Sequence, residues 1–217
     1  MKLVIGNYNY SSWSLRAWLM LSAFELEFET VRVPLDQENT KAELAKHSPT
    51  AKVPVLIDGS QLTWDSLAIC EYVSERYLDG RGWPADVNQR ATARSISAEM
   101  HSGFFSLRES MPMNCRASGR RVEQADSLQR DIERVNQLWN EAREQHSDAG
   151  PFLFGEFSIA DCMYAPVVMR FMTYGVAVSG YANQYMESML EHASMKRWLE
   201  HARAEKEVIE REEVGQA

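Results

Sequence analysis

Two serines follow the first apolar run of the chain and precede its first helical pattern, in the segment YSSWSLR at residues 10–16. The first turn of a helix has unpaired backbone N–H groups and a partial positive charge, so it stabilises an anion. A thiol bound there would ionise more easily, and the hydroxyl of Ser11 or Ser12 could donate a hydrogen bond to the thiolate. The alternative is a purely structural role, because serine is a preferred N-cap residue and either serine could do no more than cap the helix.

Two later segments could bind a peptide-like ligand. Proline cannot donate to a central strand, so Pro54 in the segment KVPV needs a reason. A cis peptide bond there would turn the N–H and C=O of Val53 towards a ligand, whereas the alternative is an ordinary strand-start proline. Asp65 and Ser66 begin a helix, where an acid, a hydroxyl and free N–H groups could hold the ammonium and carboxylate of an amino acid. The alternative is a simple N-cap.

The segment SIAD at residues 158–161 predicts a capping box that opens a helix running to about residue 173. We expect a folding role for it: substitution of Ser158 or Asp161 should cost roughly 0.5–2 kcal/mol without direct loss of chemistry. Pro166 falls inside this helix and is expected to kink it.

The elements that position these residues change in character near residue 80. Residues 1–78 begin strand, helix, strand, which favours a parallel βαβ unit, and Asp58-Gly59 suits a hairpin turn. Residues 79–87 contain DGRGWPAD, a composition typical of a linker. Residues 88–217 show helical patterns only. We therefore predict an α/β N-terminal domain over residues 1–78, a linker over 79–87 and an all-α domain over 88–217.

Three features of the helical part are predicted in more detail. A long helix should run from residue 88 to about 110, where Pro112 and its neighbours end it. Residues 194–204 are predicted to form the last packed helix. The charged residues after it, up to 217, are predicted to be a solvated end of the chain rather than a binding tail.

Composition argues against several functions. The net charge is −8 and no basic face stands out, so we expect no binding to nucleic acid or to a membrane. Cys70, Cys115 and Cys162 lie far apart without metal-ligand spacing, which predicts reduced thiols and no metal. No run approaches the roughly 20 apolar residues of a membrane span, and the apolar run in the first residues is too short for a signal peptide. We therefore expect a cytoplasmic protein.

Four segments, in their order and spacing, resemble the cytosolic glutathione transferase family over nearly the whole chain. They are YSSWSLR, KVPVL, WDSLAICEYV and FSIADCMYAPVV. The resemblance implies a thioredoxin-like N-terminal domain and an all-α C-terminal helical bundle. It also implies glutathione as co-substrate, no metal, a small electrophilic substrate and a homodimer. SSWSLR is similar to the SSCSWR motif of the zeta class, but Trp13 replaces its cysteine, which weakens the implied maleylacetoacetate isomerase reaction. The segments NYSSWSLR and AEMHSGF are more similar to bacterial serine-type transferases.

The resemblance also implies roles for single residues. Ser11 is the thiol-activating hydroxyl and Ser12 a second contact at the start of the helix. The backbone of Val53 pairs with the cysteinyl part of glutathione, with Pro54 in cis. Four other residues would bind the two ends of glutathione: Asp65 and Ser66 the γ-glutamyl end, and Lys41 or Lys52 the glycyl carboxylate.

The second substrate is expected to lie against the long helix after the linker. An apolar cleft with one or two cations would suit a flat or anionic electrophile. Each candidate could equally serve in core packing or at the surface, and no catalytic role is assigned to His101. The candidate residues are Phe104, Arg108, Met111 and Tyr164, together with His101, Phe105 and Arg170.

Three other interpretations stay open. The phenol of Tyr8 or Tyr10, near the end of the first strand, could activate the thiol instead of a serine. A cysteine-based transferase is disfavoured because no cysteine lies near the first helix and Cys70 falls on a core face. The third interpretation is a non-catalytic module that binds glutathione or takes part in an assembly, since a fold does not determine a function.

Overall fold

The structure is a computed structural model that describes residues 1–215. The N-terminal part alternates strands and helices, in the order β1 Lys2–Ile5, α1 Ser12–Ala23, β2 Glu29–Arg32, α2 Thr40–Ala45, β3 Val55–Asp58, β4 Gln61–Thr63 and α3 Ser66–Tyr77. The part that follows is helical, with α4 Val87–Ser102, α5 Phe105–Ser110, α6 Asp126–His146, α7 Ile159–Tyr174, α8 Tyr181–Glu191 and α9 Ala193–Ala204. The fold is thus the mixed α/β unit and helical bundle that the sequence predicts.

The four strands form one sheet in the order β2-β1-β3-β4. β1 and β2 are parallel, as the βαβ pattern predicts, while β3 is antiparallel to both β1 and β4. Side chains alternate across a strand, so one face of β1 contributes Leu3 and Ile5 to the main core. Val4 lies on the other face and packs with Val33 and Val55 in a smaller cluster towards α2.

Helix α7 lies at the centre of the helical part and packs against α1 and α4. Nearly all of its residues are buried, which explains why its sequence is apolar on every side. The predicted capping box is confirmed, because Ser158 and Asp161 each accept from the other's backbone N–H. None of the helices in residues 1–215 combines the length and the apolar character needed to cross a membrane.

The prediction of one long helix over 88–110 is wrong. α4 ends at Ser102, and Phe104 takes a left-handed conformation with φ 55° before α5 begins. A Cβ on Gly103 would come within 2.8 Å of the Glu99 carbonyl oxygen, so the break needs a glycine there. This break turns α5 into a separate short helix, and it decides which residues face the candidate site.

The prediction of a solvated C-terminal end is also wrong for the described residues. Residues 205–213, which we call the C-terminal strap, fold back over the loop between β1 and α1. The carboxylate of Glu205 accepts the backbone N–H groups of Tyr8 at 2.8 Å and Asn9 at 2.9 Å. Ile209 is only 2% exposed, and the side chain of Glu213 accepts from the Tyr10 hydroxyl at 2.6 Å. Residues 216–217 lie outside the described residues.

Glu205→Ala is expected to lower the free energy of unfolding by about 2–4 kcal/mol, because two backbone donors in a part-buried loop lose their acceptor. Chemical denaturation of the folded protein measures the change. Glu207→Ala is the matched control, since the Glu207 side chain is 28% exposed and pairs only at the surface with Arg32. Equal losses in the two variants would contradict a special role for Glu205.

Candidate active site

A cleft of about 410 Å³ opens where α1 begins, between the β1–α1 loop, α5, α7 and the C-terminal strap. The cleft brings together residues that are far apart in the sequence. Both serines predicted for the thiol site line it, together with some of the residues predicted to contact the second substrate. The residues that line it are Tyr10, Ser11, Ser12, Trp13, Leu35, Val53, Phe105, Arg108, Glu109, Arg170 and Glu212.

The hydroxyl of Ser11 is held by a short chain of hydrogen bonds. Ser11 caps α1, and its Oγ accepts the backbone N–H of Ser14 at 3.3 Å. The Oγ atoms of Ser11 and Ser14 lie 2.7 Å apart, and the Ser14 Oγ also accepts the N–H of Gly6 at 3.0 Å. When Ser14 donates to Ser11, the proton of Ser11 is free for a ligand. Ser12 is the first residue of α1 and lies beside it in the cleft.

The two tyrosines of the alternative interpretation are already engaged. The hydroxyl of Tyr10 donates to Glu213 at 2.6 Å and accepts from Arg116 at 2.9 Å. Burial, and then the hydrogen bond to Glu213, raise the pKa of Tyr10. Tyr8 packs against the rings of Trp198 and His201, and burial raises its pKa as well. Neither phenol is therefore poised to stabilise a thiolate.

The cysteines are equally unsuited to the chemistry of a nucleophile. Cys70, Cys115 and Cys162 are all free and buried. Burial is the main cause that raises the pKa of each thiol, to about 12 for Cys115. A buried thiol that resists ionisation is inert, so the structure disfavours the cysteine-based interpretation.

The residues predicted to hold the ends of glutathione do not line the cleft. Asp65 caps α3, and one of its oxygens accepts from the N–H groups of Leu67 and Ala68. Its other oxygen lies 2.8 Å from Nε2 of His101. The hydroxyl of Ser66 is buried and has no hydrogen-bond partner within residues 1–215. Such an orphaned polar atom at a helix start fits a site for a polar ligand.

The Val53–Pro54 peptide bond is cis, the isomer that the family resemblance implies. Val53 lines the cleft, whereas Pro54 is buried behind it. Lys41 and Lys52 are both exposed, so the structure does not choose between them as the contact for a carboxylate.

Cationic side chains surround Trp13. The guanidinium carbons of Arg16 and Arg108 lie 4.4 and 4.8 Å from the centroid of its ring. Arg170 is buried on α7, and its Nε donates to the Met111 carbonyl at 2.7 Å. Burial, and then the nearby charge of Arg108, lower the pKa of Arg170 to about 10. Guanidiniums that crowd one another in a buried place favour a bound anion.

The structure brings to the cleft only some of the residues predicted for the second-substrate wall. Arg108 lines the cleft as predicted, and so do Phe105 and Arg170. Phe104, Met111 and Tyr164 are a correction, because all three are buried in the core and none lines the cleft. Core packing, the alternative given for each of them above, is what the structure shows.

Sequence reasoning missed the contacts that two residues make at the site. His101 was expected only as a candidate for the second-substrate wall, with no catalytic role, yet it contacts Asp65 and its ring lies 5.3 Å from that of Trp13. Glu212 was placed in a solvated tail. The spacing of Asp65 and His101 along the chain gives no signal that they meet, since the contact depends on how α3 packs against α4. Within residues 1–215, no group of three histidine, cysteine or acidic side chains could hold a metal ion.

Comparison with known protein families agrees with this architecture. A family model described as the N-terminal domain of glutathione S-transferase matches residues 10–76. A second model, the C-terminal domain of glutathione S-transferase, matches residues 123–201. The chain therefore belongs to the glutathione S-transferase family, and the cleft lies at the junction of its two characteristic domains.

Individual relatives point to the same family. The chain is 37% identical to a probable maleylacetoacetate isomerase of Caenorhabditis elegans over 49% of this chain, and the match spans 50% of that relative's length. It is 29% identical to a zeta class glutathione S-transferase of Euphorbia esula, over 79% of this chain and 77% of that protein. A glutathione transferase homologue from Burkholderia gl BGR1, solved with bound glutathione, is 25% identical with a TM-score of 0.70 and covers 93% of this chain and 97% of its own.

Proposed function

We propose that this protein is a glutathione-dependent enzyme that activates the glutathione thiol as a thiolate for attack on a small electrophile, by group transfer or by isomerisation. The observation that supports this best is the Ser11 hydroxyl, held at the start of α1 by the Ser14 hydroxyl 2.7 Å away. The cleft in which it lies also contains Arg108 and Arg170. A hydrogen-bond donor, a helix start and two cations together favour an anion at this point.

Ser11 performs the central step by donating a hydrogen bond to the sulfur as the thiol loses its proton to solvent. A free thiol has a pKa near 8.5, so lowering it by about two units needs roughly 2.7 kcal/mol. One donor to a charged acceptor supplies about 1.5–3 kcal/mol, and the helix start adds about 0.3–1 kcal/mol. These two sources are sufficient. Glutathione supplies the nucleophilic sulfur, and the cleft holds the electrophile beside it.

Other residues of the N-terminal part would fix the rest of the tripeptide. The backbone of Val53 pairs with the cysteinyl residue, next to the buried Pro54. Asp65 and Ser66 hold the γ-glutamyl end, and the contact of Asp65 with Nε2 of His101 keeps that carboxylate in place. The orphaned Ser66 hydroxyl supports this assignment. An exposed lysine, Lys41 or Lys52, takes the glycyl carboxylate.

Isomerisation of a maleylacetoacetate-type substrate is the second candidate reaction. Similarity to a probable maleylacetoacetate isomerase favours it, although over only half of that relative. Arg108 and Arg170 favour it too, because a carboxylate-bearing substrate would pair with either guanidinium. Trp13 stands where the zeta motif has cysteine, and it fills the space between the arginines and His101. We therefore propose that the protein belongs with the bacterial serine-type transferases that have a zeta-like SSWSLR motif.

The assembly and location follow the family. We propose a homodimer in the cytoplasm that acts in detoxification of electrophiles. The proposed domains are residues 1–78 for glutathione and 88–217 for the second substrate, joined by residues 79–87. The bounds of α3 and α4 support this division, since α3 ends at Tyr77 and α4 begins at Val87.

Calorimetric titration of the protein with glutathione at several pH values tests the proposal. We expect binding with release of a proton at neutral pH, because a thiol bound beside Ser11 ionises and the free thiol does not. Buffers with different heats of ionisation count the protons released. Binding without proton release would favour a non-catalytic glutathione-binding module, and no binding at millimolar glutathione would exclude the proposed enzyme.

A further inference from the structure

The C-terminal strap brings a carboxylate into the cleft as well as covering the β1–α1 loop. Glu212 belongs to a short helical turn, Glu210–Glu212, and lines the cleft together with Ser11, Arg108 and Arg170. The charge of Glu212 acts to raise the pKa of Arg170, against the larger lowering effects of burial and of Arg108. Opposite charges therefore line the same cleft, where a second substrate would lie beside the activated sulfur.

The strap fixes Glu212 from both sides. Before it, Ile209 is buried with 2% of its surface exposed. After it, Glu213 accepts from the Tyr10 hydroxyl at 2.6 Å and from Arg120 at 2.7 Å. Because both flanking positions are anchored, the backbone at Glu212 cannot leave the cleft without breaking these contacts.

The charges that face one another in the cleft are nearly balanced. Arg108 and Arg170 are opposed by Glu212 and by Glu109, which is exposed at the rim on α5. The carboxylate of Glu212 pairs with Arg211, whose Nε lies 3.5 Å from a Glu212 oxygen and whose Nη1 lies 2.7 Å from Asp36 outside the cleft. A substrate carboxylate would pair with one of the cleft arginines. A second carboxylate on the same small molecule would meet Glu212.

We propose that Glu212 is a specificity-determining residue that makes the cleft select electrophiles with one carboxylate over electrophiles with two. This inference rests on the proposed glutathione-dependent function and names the substrate class of the same site. It favours group transfer over the isomerisation, because a maleylacetoacetate-type substrate carries two carboxylates. Two like charges at about 6–8 Å in a half-solvated cleft repel enough to change affinity about fivefold to tenfold. Glu212 thereby works against dicarboxylates that the arginines alone would accept.

Three glutathione conjugates test the inference by binding alone, since the tripeptide anchors each one and directs its substituent into the cleft. The conjugates are S-benzylglutathione, S-(4-carboxybenzyl)glutathione and S-(3,5-dicarboxybenzyl)glutathione, which differ only in the number of carboxylates. Calorimetry on the whole protein should rank the monocarboxylate first. In Glu212→Gln, the dicarboxylate should gain about fivefold to tenfold in affinity relative to S-benzylglutathione.

Glu210→Gln is the matched control, because Glu210 lies in the same turn but is exposed and outside the cleft lining. It removes the same charge and should leave the ranking of the conjugates unchanged. If all three conjugates bind the parent and Glu212→Gln does not change their ratios, the inference is overturned and the proposed function stands. If S-benzylglutathione does not bind the parent, the proposed function fails and this inference fails with it.

Discussion

Ser11→Ala should lower the rate of the glutathione reaction at neutral pH by about 10- to 100-fold, because the variant loses the cleft-lining hydroxyl that the Ser14 hydroxyl holds at the start of α1. A donor to a charged acceptor contributes about 1.5–3 kcal/mol, and 1.4 kcal/mol is a factor of ten. The pKa of the bound thiol should rise by about one to two units for the same reason. Titration of the thiolate ultraviolet absorbance in the bound complex measures that pKa directly.

Two control variants separate the effect of the Ser11 hydroxyl on the bound thiol from its effect as the N-cap of α1. Ser11 accepts the N–H of Ser14 as the N-cap of α1, so alanine also destabilises the helix by about 1 kcal/mol. Ser11→Gly removes the same hydroxyl but costs the cap only a few tenths of a kcal/mol. It should therefore raise the thiol pKa as much as alanine does. Ser12→Ala should leave that pKa near the parent value; a shift in Ser12→Ala with none in either Ser11 variant would make Ser12 the donor.

The features that could be predicted from sequence are those whose hydrogen bonds join near neighbours. Ser11 bonds Ser14, Asp65 bonds the N–H groups of Leu67 and Ala68, and Ser158 bonds Asp161. Each pattern is local, so the residue types and a spacing of two or three positions determine it. The parallel pair of β1 and β2 and the hairpin of β3 and β4 followed in the same way from the βαβ pattern and the Asp58-Gly59 turn, because a parallel crossover and a hairpin have few alternative topologies.

The cleft wall could be predicted only in part, because it depends on the rotation of short helices. Phe104 and Phe105 are adjacent, yet 7% of Phe104 is exposed and 70% of Phe105. The left-handed backbone conformation of Phe104 decides which of the two rings is buried and which is exposed. Phenylalanine rarely adopts this conformation, so the sequence gives no reason to expect it. Glu205 and Tyr8 are 197 positions apart in the sequence, and no local pattern of residues indicates that they are in contact.

A weaker signal was available for α8, which the sequence analysis did not include. Ala182, Tyr185 and Met189 are buried at spacings of three and four, the stripe of an amphipathic helix. This pattern is short, because it spans only three helical turns, and the residues on either side of it are glycine-containing or polar. The helix is therefore stabilised mainly by its packing against α6 and α7, which no local pattern of residue types reveals.

Asp161→Ala is expected to reduce the free energy of unfolding by about 2–5 kcal/mol, more than a cap alone accounts for. Asp161 is fully buried, and its two oxygens accept from Leu153 N at 3.1 Å, Ser158 N at 2.8 Å and the Ser158 hydroxyl at 3.0 Å. Alanine leaves these buried donors without an acceptor. Denaturant unfolding measures the loss, while binding of glutathione by the folded variant should stay close to that of the parent.

Asp86→Ala is the matched control for this loss. Asp86 caps α4 with the same kind of bonds, to Asn88 N and Gln89 N at 2.9 Å each, but it is exposed. Water can replace its carboxylate, so we expect a cost of about 1 kcal/mol. Similar losses for the two aspartates would show that burial adds nothing to the cap at Asp161.

The pH dependence of the difference between the parent and Asp161→Ala supplies a second readout. Burial is the main cause that raises the pKa of Asp161 from 3.8 to about 6, while its hydrogen bonds oppose the shift. The folded state therefore binds this proton more tightly than the unfolded state, and the resulting stability is complete below about pH 4 and lost as the pH rises through about 6. The variant lacks the group, so its deficit should be of order 1 kcal/mol larger at pH 5 than at pH 7.5. A deficit that grew with rising pH would mean that the hydrogen bonds to the carboxylate outweigh the cost of burying its charge.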